Sequence, residues 1–530
     1  MRAFRVMLWN FRIVQIWLLN NYQMTLPVLA SPRDSAAPRP DARRALIAAS
    51  VVMLSLSVAV FAALSATGDR AIVAPLGTGG PYADLHHAVH PALMKAACWV
   101  AAVSGGAGVL AGLGAVRRGW VPRHALVLAG CAAATVLLVF VPPAASVDVQ
   151  NYAEYGRIVV LHHNPWVMTP QQLFQRHDPV GLLAPPEWRG QPTVYGPAAT
   201  VVEAVAAWLG GASMAWITFW IKLMNGICYL AVAAVLDRLA GPDPARRARA
   251  ALLWAVNPLM LFWMVAGGHT DLLAVLPLLL AVLAVRKLRR RNDAGAGGPG
   301  ALAAATAGAL AGIAIAVKVT FAGPAAGLAV GLRHVVTGRR RTTLLAAGIA
   351  GGAIALAAGY SFAGLAAWKS LSQRLSSAND SFLPLPGGVY LHPALYSGVT
   401  LAAFAIVGSI FAWRMPPGHA DLPEIRPMLV CALALVLGDI VQYPWYDAMF
   451  FPLLALMPPS RLDGWLVARI VAISGLLLPG IGITTLQYRE VRVAVPVFMA
   501  CFLAAAALGK LRAQDEVMVL RAVGRVRSGY

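Results

Sequence analysis

Apolar runs of roughly 20 residues recur along this chain, separated by short polar breaks that are often rich in Arg. Each run is long enough to cross a hydrocarbon layer about 30 Å thick. The runs are continuous, so they predict helices; a transmembrane β-barrel would show period-two alternation in short segments. Spans are expected near 45–66, 92–115, 124–143, 212–236, 250–266, 272–285, 300–317, 319–333, 343–366, 392–412, 427–441, 447–458, 465–486 and 493–509. Residues 197–211 read as a short surface or re-entrant helix, because only one net crossing fits between the polar stretch 144–195 and the Arg cluster at 238–249. The fold class is therefore all-α and polytopic, with about 12–14 transmembrane helices. Residues 1–44 form an amino-terminal tail, 45–509 the transmembrane domain and 510–530 a basic tail.

Composition supports the membrane class: 59% of residues are hydrophobic and only 12% charged, against about 25% charged in soluble domains. The net charge of +21 raises the question of nucleic acid, but its placement answers it. Arg117, Arg118, Arg123, Arg238, Arg246, Arg247, Arg249, the Arg286–Arg291 cluster and Arg339–Arg341 all fall in short loops. Lys and Arg in short loops mark the cytoplasmic side, so no nucleic-acid partner is implied. Cys98, Cys131, Cys228, Cys431 and Cys501 lie within predicted spans and read as small apolar residues. The Gly-x-x-x-Gly pairs 108/112, 308/312 and 348/352 permit close helix approach. Residues 1–23 hold an apolar stretch broken by Arg12, and Met24 is the expected start of translation.

The same charge rule turns the loops 144–195 and 367–391, the Gly267–Asp271 turn and the 442–447 turn toward the outer face of the cell membrane. Only 22 residues of the chain are acidic, so Asp148 and Glu154 in SVDVQNYAEYGRIVVLHHNPW stand out. Asp148 follows Pro142-Pro143 at the mouth of a span, and its spacing allows it to cap a helix. Capping and acting as a base are compatible. Glu154, six residues on, does not share its helix face. Rings beside polar groups suit a sugar, and Tyr152, His163, Asn164, Trp166 and Tyr195 supply them here. Further candidates are His269, Asp271, Lys369 and Arg374, with Tyr443, Trp445, Tyr446 and Asp447 in the QYPWYD turn. An aromatic membrane-interface belt is the plainer reading of Trp188, Tyr195, Trp208, Trp216 and Trp220 and explains the QYPWYD rings equally well.

Asp148 with NYAEYGR, then HNPW, then VYGP resembles the first large external loop of GT-C glycosyltransferases that use polyprenyl-phosphate sugars. The likeness is strongest to the bacterial polyprenyl-phosphate-mannose-dependent α-1,6-mannosyltransferases. NPLMLFWMVAGGHTD, starting at Asn257, resembles their Asn-Pro-Leu helix and Gly-His-x-Asp turn, and QYPWYD their Pro-Trp-Tyr segment. AVKVT around Lys318 is a weaker match, and Trp166 stands where the family carries Tyr.

The resemblance implies an inverting transfer of a sugar, mannose by analogy, from a polyprenyl-phosphate donor to a glycolipid or polysaccharide acceptor. It gives Asp148 the role of general base, and the physical argument agrees, since a carboxylate with an ordinary pKa near 4 is ionised at neutral pH and can accept a proton. Lys369, Arg374, Arg489 and His269 are candidates for taking up the leaving phosphate's charge, with Lys318 a further option if it sits at the outer end of its span. No cofactor is certain. A divalent metal stays open because His86 and His90 form a helical i, i+4 pair beside Asp84 and His87, although a solvated polar turn is the favoured reading because no further ligand is evident. The alternative is a transporter or lipid flippase using Asp148, Glu154 and His269 as ligands, with Lys318 in mid-span as its best support. An envelope polymerase of another family is a third option.

Overall fold

A computed structural model describes residues 40–293, 300–332, 339–376, 384–385, 389–390, 393–439 and 443–480. The chain divides into two units, Met1–Ala45 and Leu46–Tyr530; apart from the helical residues 40–45, all that follows concerns the second. The expected start at Met24, the span at 493–509, the tail at 510–530 and Arg489 lie outside the described residues.

The long helices are α1 (Pro40–Ala66), α2 (Pro91–Arg117), α3 (His124–Phe140) and α7 (Met214–Ala240). Further along come α10 (Asp271–Asp293), α11 (Gly300–Val317), α13 (Arg339–Ala363), α15 (Pro393–Arg414), α16 (Ile425–Gly438) and α18 (Arg461–Leu477). Between α3 and α7 lie three shorter helices, α4 (Asp148–Val160), α5 (Pro170–Gln175) and α6 (Pro197–Gly210). The remaining short ones are α8 (Pro244–Ala250), α9 (Pro258–Leu261), α12 (Ala322–Gly331), α14 (Leu365–Ser376) and α17 (Phe451–Ala455). A two-residue antiparallel pairing of Pro384–Leu385 with Val389–Tyr390 is the extended structure in the loop after α14.

Among the described residues, five helices are long and apolar enough to cross a membrane, and six if the pair 244–255 and 258–266, bent by 41°, is counted as one broken span. The bend has an identifiable cause. Pro258 withholds an N–H in the middle of the run, and Asn257 starts a new helix by accepting from Leu259 N at 3.1 Å. Residues 447–458, expected to be a span, are instead a 3-10 helix (Pro444–Met449) and the five-residue α17. Pro444 and Pro452 interrupt any longer helix there. The short helix expected at 197–211 is α6, opened by Pro197 at its first position.

Small residues bring the helices together. A Cβ on Gly308 would lie 1.8 Å from the Gly348 carbonyl oxygen, and one on Gly112 would lie 2.7 Å from Ser50 Oγ. Ser50 and Ser57 of α1 donate to the Gly108 and Ala101 carbonyls of α2 at 2.9 and 2.7 Å. Gly308→Ala is therefore expected to cost about 1–3 kcal/mol through forced separation of α11 and α13. Gly130→Ala on α3, where a Cβ meets nothing within 4 Å, should be close to neutral. Thermal unfolding of the two variants in detergent checks the contrast.

Several of the basic side chains are tied by ion pairs. Arg249 makes a two-pronged contact with Asp463 at 2.5 and 2.7 Å. Arg246 and Arg286 both reach Asp421, Arg289 reaches Glu424 and Arg247 reaches Asp237. Asp271 and Arg286 stand on one helix, α10, fifteen residues and so about 22 Å apart. The Arg network and the Asp271 turn thus occupy opposite ends of the bundle.

Candidate active site

Asp148 is set at the start of α4 by the polar loop between α1 and α2. That loop bridges Val73 to Ala144, and its Ile72 carbonyl accepts from Ala145 N at 2.7 Å. Gln150 donates from Nε2 to the Pro75 carbonyl at 2.6 Å. Asp148 does not cap α4, contrary to the capping expectation. Val147 holds that position without a side-chain capping bond, and Asp148 N donates to Ser146 Oγ at 3.1 Å. The carboxylate is turned instead to His269, with Oδ2 3.6 Å from Nδ1; Asp148 keeps 16% of its side chain exposed while His269 has none.

His269 arrives through a turn that needs two glycines. Gly268 has φ +69°, and a Cβ there would stand 2.8 Å from Val149 Cγ2; a larger residue would be strained by its backbone and pushed off α4. The imidazole stacks on Trp445 at 4.0 Å, and Trp445 in turn on Tyr443 at 4.5 Å. Asp447, in the same 3-10 helix, is buried and paired with the buried Arg469 of α18, which anchors that turn.

Lys318 sits where α11 stops, with extended backbone angles before a 3-10 turn at Val319–Phe321. Its Nζ lies 2.7 Å from Asp271 Oδ1 and 4.3 Å from the centre of the Tyr446 ring. Tyr195-Gly196-Pro197 docks on the same helix end. Gly196 N donates to the Val317 carbonyl at 3.0 Å, and a Cβ on Gly196 would stand 2.1 Å from the Ala316 oxygen. Tyr195 then meets Tyr152 hydroxyl to hydroxyl at 3.1 Å, and its carbonyl accepts from Trp166 Nε1 at 3.2 Å.

The sequence pattern of the alpha-(1->6)-mannopyranosyltransferase N-terminal-domain family matches residues 47–334. The chain belongs to this family. No match is found among curated proteins or among solved structures. The protein is thus a glycosyltransferase of the α-1,6-mannosyltransferase family and a multi-pass membrane protein. The matched stretch holds Asp148, His269, Asp271 and Lys318, whereas the Tyr443–Asp447 turn lies beyond it.

Electrostatics separate the mannosyltransferase's polar groups by role. Burial pushes the Asp148 carboxyl up to about 6; Lys318 works against the rise, Asp271 adds to it, and the Ser146 hydrogen bond lowers it. This replaces the ordinary value near 4 expected from sequence. Burial and then Lys318 hold His269 well below the usual imidazole range, so the ring is neutral at pH 7. If Asp148 must be ionised to act, kcat/KM should fall as pH drops through about 6. A plateau reaching down to pH 4.5 in a pH–rate profile would argue against it.

Other candidates stand elsewhere. Glu154 is buried, its oxygens lack hydrogen-bond partners among the described residues, and burial raises its carboxyl against the pull of Arg189. His163 is exposed, with Nε2 2.7 Å from Arg176 Nη1, and Asn164 shapes the turn by accepting from Trp166 N. Lys369 is exposed on α14; Arg374 is on that helix, and its side chain lies outside the described residues. The cation brought to Asp271 is Lys318, a further option beside those two in the sequence, which does not rank them. A charged residue within an apolar run was the available signal.

The His86–His90 pair is not helical, because His86 adopts φ 48° and His90 precedes the first turn of α2. Asp84 Oδ1 accepts from His86 N at 2.8 Å. Among the described residues, no three His, Cys, Asp or Glu side chains are placed to hold a metal.

Trp445, 4% exposed, backs His269. Trp445→Ala is expected to lower transfer per folded molecule, besides costing about 3–5 kcal/mol of stability, while Trp445→Phe should recover most of the turnover. Unchanged turnover per folded molecule in the Ala variant would reduce Trp445 to a membrane-interface anchor.

Proposed function

We propose that the enzyme transfers mannose, with inversion, from a polyprenyl-phosphate donor to a glycolipid or polysaccharide acceptor at the outer face of the cell membrane. The observation that carries this reading is one cluster holding a partly open carboxylate, Asp148, and a cation, Lys318, each from a different element. Asp148 takes the proton of the acceptor hydroxyl as its oxygen bonds to the anomeric carbon. The anomeric bond to phosphate breaks, and the departing oxygen carries away the electron pair. Lys318 meets the charge that develops there. Protonated Asp148 then releases its proton to outside water through its exposed edge.

The outer-face assignment rests on the Arg network at the far end of α10 and on the bias of Lys and Arg toward cytoplasmic loops. The cluster's place at one end of the bundle also favours an enzyme over a carrier, whose site would stand near the midplane. Purified protein given a polyprenyl-phosphate mannose and an α-mannoside acceptor should form a new mannosidic bond in detergent, without any closed compartment. Transfer from a nucleotide-linked mannose, with none from the lipid donor, would overturn the donor class. Mass spectrometry of envelope glycans from a deletion strain would identify the acceptor by the residue lost.

A further inference from the structure

We infer that Lys222 and Asn225 of α7 are positioning residues that set the geometry between Asp148 and His269; the inference rests on the role given above to Asp148. The two side chains are three residues apart and so share a helix face, and both are fully buried. Lys222 donates to the carbonyl of Val141, the residue that closes α3. Asn225 Nδ2 donates to the carbonyls of Met264 and His269 at 3.3 and 3.1 Å. One face of one helix therefore grips the strand of chain that enters Asp148 and the turn that carries His269.

The need for these donors follows from the local sequence. The last carbonyls of a helix lack intrahelical partners and are usually met by N–H groups of the residues just beyond. Beyond Val141 stand Pro142 and Pro143, which have no N–H to offer. Ala83 N meets the Phe140 carbonyl at 2.9 Å, and Lys222 meets that of Val141. Lys222 Nζ also lies 5.0 Å from the centre of the Tyr82 ring, whose hydroxyl is 3.0 Å from Thr218 Oγ1. A Cβ on Gly268 would stand 3.5 Å from Lys222 Cγ, so the same stem bears on the turn before His269. A lysine in an apolar span is costly, and packing alone would be served by Met or Leu.

The test uses full-length enzyme in detergent with polyprenyl-phosphate mannose and an α-mannoside acceptor, with rates referred to folded protein. Lys222→Met and Asn225→Leu should each lower kcat on the order of 10²-fold, the effect of about 1 Å of misplacement. The donor KM should stay within about threefold, and the acid limb of the pH profile should move from its wild-type position. Lys222→Arg, which keeps a donor, should recover most of the turnover. Lower yield but wild-type kcat and acid limb in the folded fraction would overturn the inference, as would equal losses for Lys222→Met and Lys222→Arg. If a variant does not fold, Asn225→Ala, which removes the donor with no added bulk, carries the same readouts. Asp148→Asn runs in parallel: normal turnover there sinks the underlying mechanism, whereas an inactive Asp148→Asn beside normal Lys222→Met and Asn225→Leu sinks only this inference.

Discussion

Asp148→Asn is expected to yield a folded enzyme whose turnover falls on the order of 10²–10⁴-fold. The substitution is nearly isosteric and removes the charge alone. Loss of a helix cap cannot account for the effect, because Val147 occupies the capping position and Asn caps about as well as Asp. The carboxyl is raised to about 6 mainly by burial, so its neutral counterpart should be tolerated without unfolding. Glu154→Gln should lose far less, since Arg189 is the charge that acts on Glu154 and six residues of helix place it off the Asp148 face of α4. Steady-state turnover with the lipid donor, normalised to monodisperse protein, measures both. Near-normal turnover by Asp148→Asn would remove Asp148 as the base.

Lys318→Gln is the second large effect, expected to lower kcat on the order of 10²–10³-fold, comparable with losing one charge-stabilising group at a developing anion. Gln retains an N–H able to reach Asp271, which matters because Asp271 is 1% exposed. Leaving a buried carboxylate wholly without its partner costs about 3–5 kcal/mol, so Lys318→Met is expected to lose folded protein as well as rate. Pairing it with Asp271→Asn removes the stranded charge. That double variant should regain yield but not turnover if Lys318 serves the leaving phosphate. Recovery of turnover along with yield would make the Asp271–Lys318 pair structural only.

Much of the fold was legible in the chain because apolar length is a local property. Residues 300–317 and 197–211 were expected as helices and are found as Gly300–Val317 and Pro197–Gly210. The Gly308 and Gly348 pattern correctly announced a close approach, because Gly allows backbones to meet whatever surrounds them. The 447–458 stretch was misread as a span: its apolarity is genuine, but Pro444 and Pro452 divide it into turns too short to cross a membrane.

The candidate site was legible only as a set of polar residues at the ends of apolar runs. Sequence by itself determined the helical membrane class, the family and the prominence of Asp148, since hydrophobic run length, motif order and a scarcity of carboxylates need no partner to be read. Tertiary structure decided which groups meet. It set Lys318 against Asp271, put Asn225 under the His269 carbonyl, made Lys222 the donor for Val141 and left Glu154 apart from Asp148. Those pairings join residues 44 to 81 positions apart. Helix packing sets their distances, and no spacing along the chain encodes them.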